Sequence, residues 1–86
     1  MNRVSTYFAL MAEYGEPVVT LATICEKYFG LSPVKASVRA GRHALPIPVW
    51  RGGSQKSTWL VSLEDLAEFI DRQRELAREE WQQVNA

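Results

Sequence analysis

The sequence predicts a small α+β domain, mostly helical, built as a winged helix-turn-helix: three helices, a β-hairpin wing and a long C-terminal helix. Three observations lead there. Two short helical segments are joined only by Gly30-Leu31-Ser32, a connection of helix-turn-helix size. Next comes a stretch holding Pro46 and Pro48, which excludes helix, then a Gly52-Gly53 turn and a run of strand-forming residues. Finally, 86 residues supply one core and no more, burying roughly 60–65% of the unfolded surface. The expected unit is therefore a single domain, 1–86.

The elements follow in order. Ser5 or Thr6 caps a first helix to Tyr14, with Phe8, Leu10, Met11 and Tyr14 as its apolar residues, and Gly15 and Pro17 stop it. Val18-Val19 is a short extended piece. Thr20 is the N-cap of a second helix over 21–29, where Leu21, Ile24, Tyr28 and Phe29 recur at helical spacing before Gly30 closes it. Ser32 caps the third helix, 33–40, with Pro33 in the first position, where a missing N–H costs nothing. Gly41 is expected to end it as a left-handed cap. Val34 and Val38 are expected to pack inward.

Residues 45–51 suit an edge strand and 57–61 a returning one. A register centred on Ser54 and Gln55 sets Trp50 opposite Trp59 and Val49 opposite Leu60, an aromatic pair across the hairpin. Ser62 with Asp65 forms a capping-box variant before the last helix, 63–84. Glu64, Asp65 and Glu68 stand near its positive end, while Leu66, Phe69, Ile70, Gln73, Leu76, Ala77, Trp81 and Val84 trace one stripe.

Charge separates along a chain whose formal net charge is zero. From Lys27 to Leu63 there are six bases and no acid. The segments before and after carry the compensating negative charge. A cationic stretch of this kind is the footprint that a phosphate backbone demands. Lys35, Arg39 and Arg42, at i, i+4 and i+7, share one helix face, and the third helix is the candidate reader of a major groove. The candidate DNA-binding residues are Lys35, Ser37, Arg39 and Arg42 on that helix. Arg51, Ser54, Gln55, Lys56 and Ser57 join them from the wing, whose glycines allow close approach to a backbone.

Other chemistry finds little support. Gly53-Ser54-Gln55-Lys56-Ser57-Thr58 resembles a phosphate loop, but Gln55 and Trp50 stand where that motif needs glycine. Cys25, the single cysteine, reads as a small buried apolar residue. His43, the single histidine, follows a helix C-terminus, where a cation is favoured, and is no basis for a zinc site or a nucleophile–histidine pair. The carboxylates of the last helix have a sufficient reason in its dipole. An enzyme is not expected, nor a cofactor, a small-molecule ligand or a metal. No apolar run approaches the ~18 residues of a membrane span, and the N-terminus lacks a signal peptide's features, so the expected location is the cytoplasm.

The last helix, near 33 Å long at about 1.5 Å per residue, exceeds what so small a body needs. Leu76, Trp81 and Val84 are accordingly the candidate contacts with a second subunit or another partner.

The chain resembles the pyocin activator family. The resemblance rests on Tyr7-Phe8-Ala9-Leu10-Met11-Ala12-Glu13-Tyr14, on Cys25 with Tyr28-Phe29, and on Leu45-Pro46-Ile47-Pro48 and Arg51. Ser54-Gln55-Lys56-Ser57 and Asp65-Leu66-Ala67 with Ile70-Asp71 add to it, so that it runs from about Thr6 to Arg74. Thr20 stands where such proteins often have proline, and both residues can begin a helix. The resemblance implies a small transcriptional activator of prophage or phage-tail bacteriocin genes that binds short repeated DNA elements upstream of them.

Together these readings lead to the expectation of a sequence-specific regulator of double-stranded DNA, with a homodimer and RNA polymerase as further partners. Two other readings stand beside it. One is an excisionase-like architectural factor; the other is a protein-interaction module acting through the C-terminal helix.

Overall fold

Ser5 has extended backbone, and its hydroxyl accepts the Phe8 N–H at 3.1 Å. One orphan donor is thereby satisfied as the chain enters its first helix, α1 (Thr6–Tyr14). Gly15, at φ 77, ends α1 by donating its N–H to the Met11 carbonyl. The computed structural model describes residues 5–53 and 58–85. Over these the order continues with β1 (Val18–Thr20), α2 (Leu21–Phe29), α3 (Pro33–Gly41), β2 (Trp50–Arg51), β3 (Trp59–Ser62) and α4 (Leu63–Asn85). The described residues thus form a mostly helical α+β fold of four helices and a three-stranded antiparallel sheet.

Helix α2 occupies the expected 21–29, with Gly30 at φ 66 closing it. Thr20 departs from expectation. Its hydroxyl bonds Thr23 Oγ1 at 2.7 Å and caps no backbone N–H. Thr20 is also the last residue of β1, held opposite Leu60, so the sheet rather than a side-chain cap fixes the entry to α2. Three residues after α2 ends at Phe29, Ser32 Oγ accepts the Lys35 N–H at 3.3 Å, and α3 begins at Pro33 as expected.

The end of α3 is a correction. Gly41 is helical, Arg42 is the C-cap, and the left-handed residue is His43, at φ 53. His43 N–H reaches the Ala40 carbonyl at 3.1 Å and Ala44 N–H reaches the Arg39 carbonyl at 2.9 Å. This pair of bonds is the Schellman pattern, displaced two residues from the glycine that local propensity favours.

The hairpin is corrected as well. Strand β3 lies in the middle of the sheet, in the order β1-β3-β2. Arg51 faces Trp59 and Trp50 faces Leu60, one residue out of step with the expected register, so the two tryptophans are not opposed. The reason lies in β1, which pairs Val19 with Val61 and turns both into the core. Alternation along β3 then puts Trp59 on the Val61 face and Leu60 on the other, and β2 must conform. The ladder is also shorter than 45–51, because Pro46 and Pro48 have no N–H to give it and β2 begins only at Trp50.

Helix α4 starts where Ser62 Oγ accepts the Glu64 N–H at 3.1 Å, one residue earlier than the box with Asp65 would have it. Leu63 donates its own N–H to the Pro17 carbonyl at 2.8 Å, fastening the start of α4 beside β1. Farther along, the Thr6 hydroxyl donates to the Asp71 carboxylate and joins α1 to α4.

The core lies between the helices and one sheet face. Ile24 and Cys25 of α2, Ala36 and Ala40 of α3, Val61 of β3, and Leu63 and Leu66 of α4 are all fully buried. Phe29 and Phe69 close its edge in an edge-to-face pair, with centroids 5.2 Å apart. Cys25 takes the place expected of it, as a free buried thiol. No helix among the described residues is long and apolar enough to cross a membrane.

Candidate nucleic-acid interface

The face that α3 turns inward is made of Ala36 and Ala40, both fully buried. Small side chains on that face let α3 lie close to α2, as the three-residue connection between the two helices requires. Everything else functional on α3 then faces out. Val34 and Val38, expected inside, are 75% and 50% exposed. The correction has a simple cause: alanines and valines compete for the inner face at the same i, i+4 spacing, and the tight connection favours the smaller pair.

Lys35, Ser37, Arg39 and Arg42 are all exposed. The two flanks of α3 carry them toward different neighbours. On one flank, Ser37 and Pro33 border a cleft of about 300 Å³ that Arg51, Thr58 and Trp59 of the hairpin and Leu21 and Ala22 of α2 also line. The helix and the hairpin thus contribute Ser37 and Arg51 to one concavity. On the other flank, Arg39 borders an aromatic groove of about 600 Å³ with Tyr28, Phe29, Leu31 and Phe69. Helical spacing puts Lys35 and Arg42 between Arg39 and the outermost residue, Val38.

The Arg51 guanidinium carbon stands 4.4 Å from the Trp59 ring centroid. This cation–π contact aligns the arginine along the hairpin without neutralising it. The Trp59 indole N–H is buried and has no acceptor among the described residues. Ser54, Gln55, Lys56 and Ser57, the expected tip of the wing, lie outside the described residues.

In space, Asp65 and Glu68 of α4 border the Pro46–Pro48 part of the acid-free stretch. Among the described residues the one ion pair is Lys27 with Glu13, at 3.9 Å, and Lys27 Nζ also stands 5.3 Å from the Tyr28 ring centroid. Lys27 is therefore engaged with α1 and its own neighbour. Lys35, Arg39, Arg42 and Arg51 pair with no carboxylate of α4 among the described residues. Cations with such a choice of polyanionic partner stay available to it.

Among the described residues one titrating group departs from its ordinary range. Burial, then the neighbouring Tyr28 and the Glu13 carboxylate, push the Tyr14 phenol up to about 12. It lies at the end of α1.

Helix α4 divides at Asp71. Leu63, Leu66 and Ala67 are buried, Phe69 and Ile70 half-buried, and every residue from 71 to 85 is exposed. Asp71, Arg72 and Gln73 still border α1 and the segment around Leu45 and Pro46, and the residues beyond them, at about 1.5 Å each, extend some 18 Å from the body, in a molecule with extents of 50 × 26 × 16 Å. Leu76, Trp81 and Val84, the expected partner contacts, are 48%, 63% and 84% exposed on that extension. The sequence stripe continues past the core that it was expected to cover.

The valines were missed because hydrophobicity alone ranks them as core. The visible signal was the second apolar pair, Ala36 and Ala40, on the same nine-residue helix.

The family described as pyocin activator protein PrtN matches residues 6–77. The match covers most of the chain, from α1 into the exposed part of α4, and the chain belongs to the pyocin activator family. No curated protein and no solved structure matches it.

Proposed function

We propose that this member of the pyocin activator family is a sequence-specific regulator that binds double-stranded DNA as a winged helix-turn-helix and activates phage-like or bacteriocin genes. In this reading α3 enters the major groove, and the turn at 52–57 follows the backbone as the wing. The observation that supports it best is the surface made by α3 and the hairpin. Ser37 and Arg51 share a cleft on one flank of α3, and Arg42, Lys35 and Arg39 follow around its outer side to the other flank, with no carboxylate among the described residues to hold them.

The roles divide by chemistry. Arg39 and Arg42 carry planar guanidinium groups suited to guanine O6 and N7, while Lys35 offers a point charge for phosphate. Arg51, held over Trp59, supplies a second phosphate contact from the hairpin, and Ser37 a neutral donor between them. Lys56 and its neighbours extend the same function along the wing. Gel-shift titration of Arg39→Ala against selected and random duplexes tests this assignment. Loss of about 1–3 kcal/mol on the selected duplex, with little change on random DNA, supports base reading. Equal loss on both removes Arg39 from base reading, and no shift of any duplex at low salt removes the function.

The exposed end of α4 favours a second role in the same molecule. We read Leu76, Trp81 and Val84 as the contact through which two copies pair, RNA polymerase being the other candidate for that face. Sedimentation of wild type against Trp81→Glu tests it: a dimer reduced to a monomer is expected. A wild-type chain monomeric at every concentration contradicts the pairing.

A further inference from the structure

Resting on the DNA-binding reading above, we infer that Val34 and Val38 read thymine: their methyl groups pack against the 5-methyl groups of thymines in the major groove. The recognised sequence then carries thymine where α3 enters. Both valines stand on the outward side of α3, 75% and 50% exposed, with the buried Ala36 and Ala40 on the side opposite. Lys35 and Arg42 lie together on one side of them, toward Arg39, and the whole segment from Lys27 to Leu63 contains no acid. An apolar patch with a row of cations along one side matches a duplex groove, in which thymine alone presents a methyl among polar edges and phosphates. It matches an apolar protein surface less well, since that would leave the neighbouring cations without partners.

Spacing narrows the prediction. Residues four apart on a helix have β-carbons about 5–6 Å apart. Base pairs rise about 3.4 Å per step. The two valines therefore meet thymines no more than about two steps apart.

The test uses duplexes recovered by selection from a random pool and resynthesised with deoxyuridine for each thymine in turn. This exchange removes one methyl and nothing else. At one or two positions wild-type affinity falls about 3- to 5-fold, as for one buried methyl. The Val34→Ala/Val38→Ala variant binds the thymine and uracil forms alike, with a thermal midpoint no lower than wild type's, because neither valine packs on the core and alanine is the better helix former. Wild type that shifts the duplex but is indifferent to every exchange overturns the valine contacts and leaves DNA binding in place. Failure to shift any duplex overturns both. A double variant that differs from wild type in oligomeric state assigns the patch to a second copy and also overturns the inference.

Discussion

Arg51 and Trp59 face each other across the β2–β3 pair, with the guanidinium carbon 4.4 Å from the centre of the indole. The contact takes the position that an aromatic pair would hold in the neighbouring register. Arg51→Ala is expected to lower stability by about 0.5–1 kcal/mol, the worth of an exposed cation–π pair. Arg51→Met, which keeps an apolar stem over the ring, should recover only part of that loss. Urea titration followed by tryptophan emission measures both, and a midpoint unchanged by Arg51→Ala contradicts the role.

The two ends of α3 respond to substitution in opposite directions. Ser32→Ala removes the acceptor of the Lys35 N–H and should cost about 1 kcal/mol. His43→Gly relieves a non-glycine residue at φ 53 and should add a few tenths to about 1 kcal/mol. The glycine gain is partly offset by the greater freedom of the unfolded chain. Thermal melts of both variants check the pair of signs. A destabilised His43→Gly would mean that the imidazole makes a compensating contact.

Tyr14 makes stability sensitive to alkali. Its phenol titrates at about 12 in the folded chain and at 10 in the unfolded one. The neutral form therefore contributes its stabilisation in full below pH 10, and that contribution is lost as pH rises through 10 to about 12. Tyr14→Phe should flatten this part of the stability profile. Ultraviolet titration should show one tyrosine ionising only near pH 12 in the native protein.

The division of α4 at Asp71 separates folding from assembly. Ending the chain after Arg74 removes no buried residue, so the shortened protein should keep its fold and nearly all its stability. Its self-association should be abolished. Leu66→Ala, by contrast, opens the core and should cost about 2–5 kcal/mol. Calorimetry and sedimentation of the two variants give the comparison, and unfolding of the shortened chain would contradict it.

Local punctuation made most of the helices legible. Ser5, Gly15, Gly30 and the Ser32-Pro33 pair mark ends that the backbone respects to the residue, because a cap or a left-handed glycine acts within one turn. The largest miss is long-range. Val19 against Val61 sets the hairpin register from a strand forty residues upstream, and nothing between Leu45 and Ser62 reveals it. The left-handed cap fell to His43 although Gly41 stood two positions earlier, since α3 ran on through the glycine before turning. The exposure of Lys35, Arg39 and Arg42 was legible in their spacing, whereas their lack of a carboxylate partner among the described residues depends on how α4 packs. The site's apolar centre at Val34 and Val38 was not legible, because only the packing of α2 on α3 decides which apolar pair turns inward.

Salt dependence of binding to a selected duplex tests the cationic surface most directly. If Lys35, Arg39, Arg42, Arg51 and Lys56 each displace one counterion, the plot of log affinity against log salt has a slope of about −4 to −5 per subunit. Alanine at Arg51 should make that slope shallower by about 1. An affinity that does not change with salt would contradict the surface proposed for α3 and the hairpin.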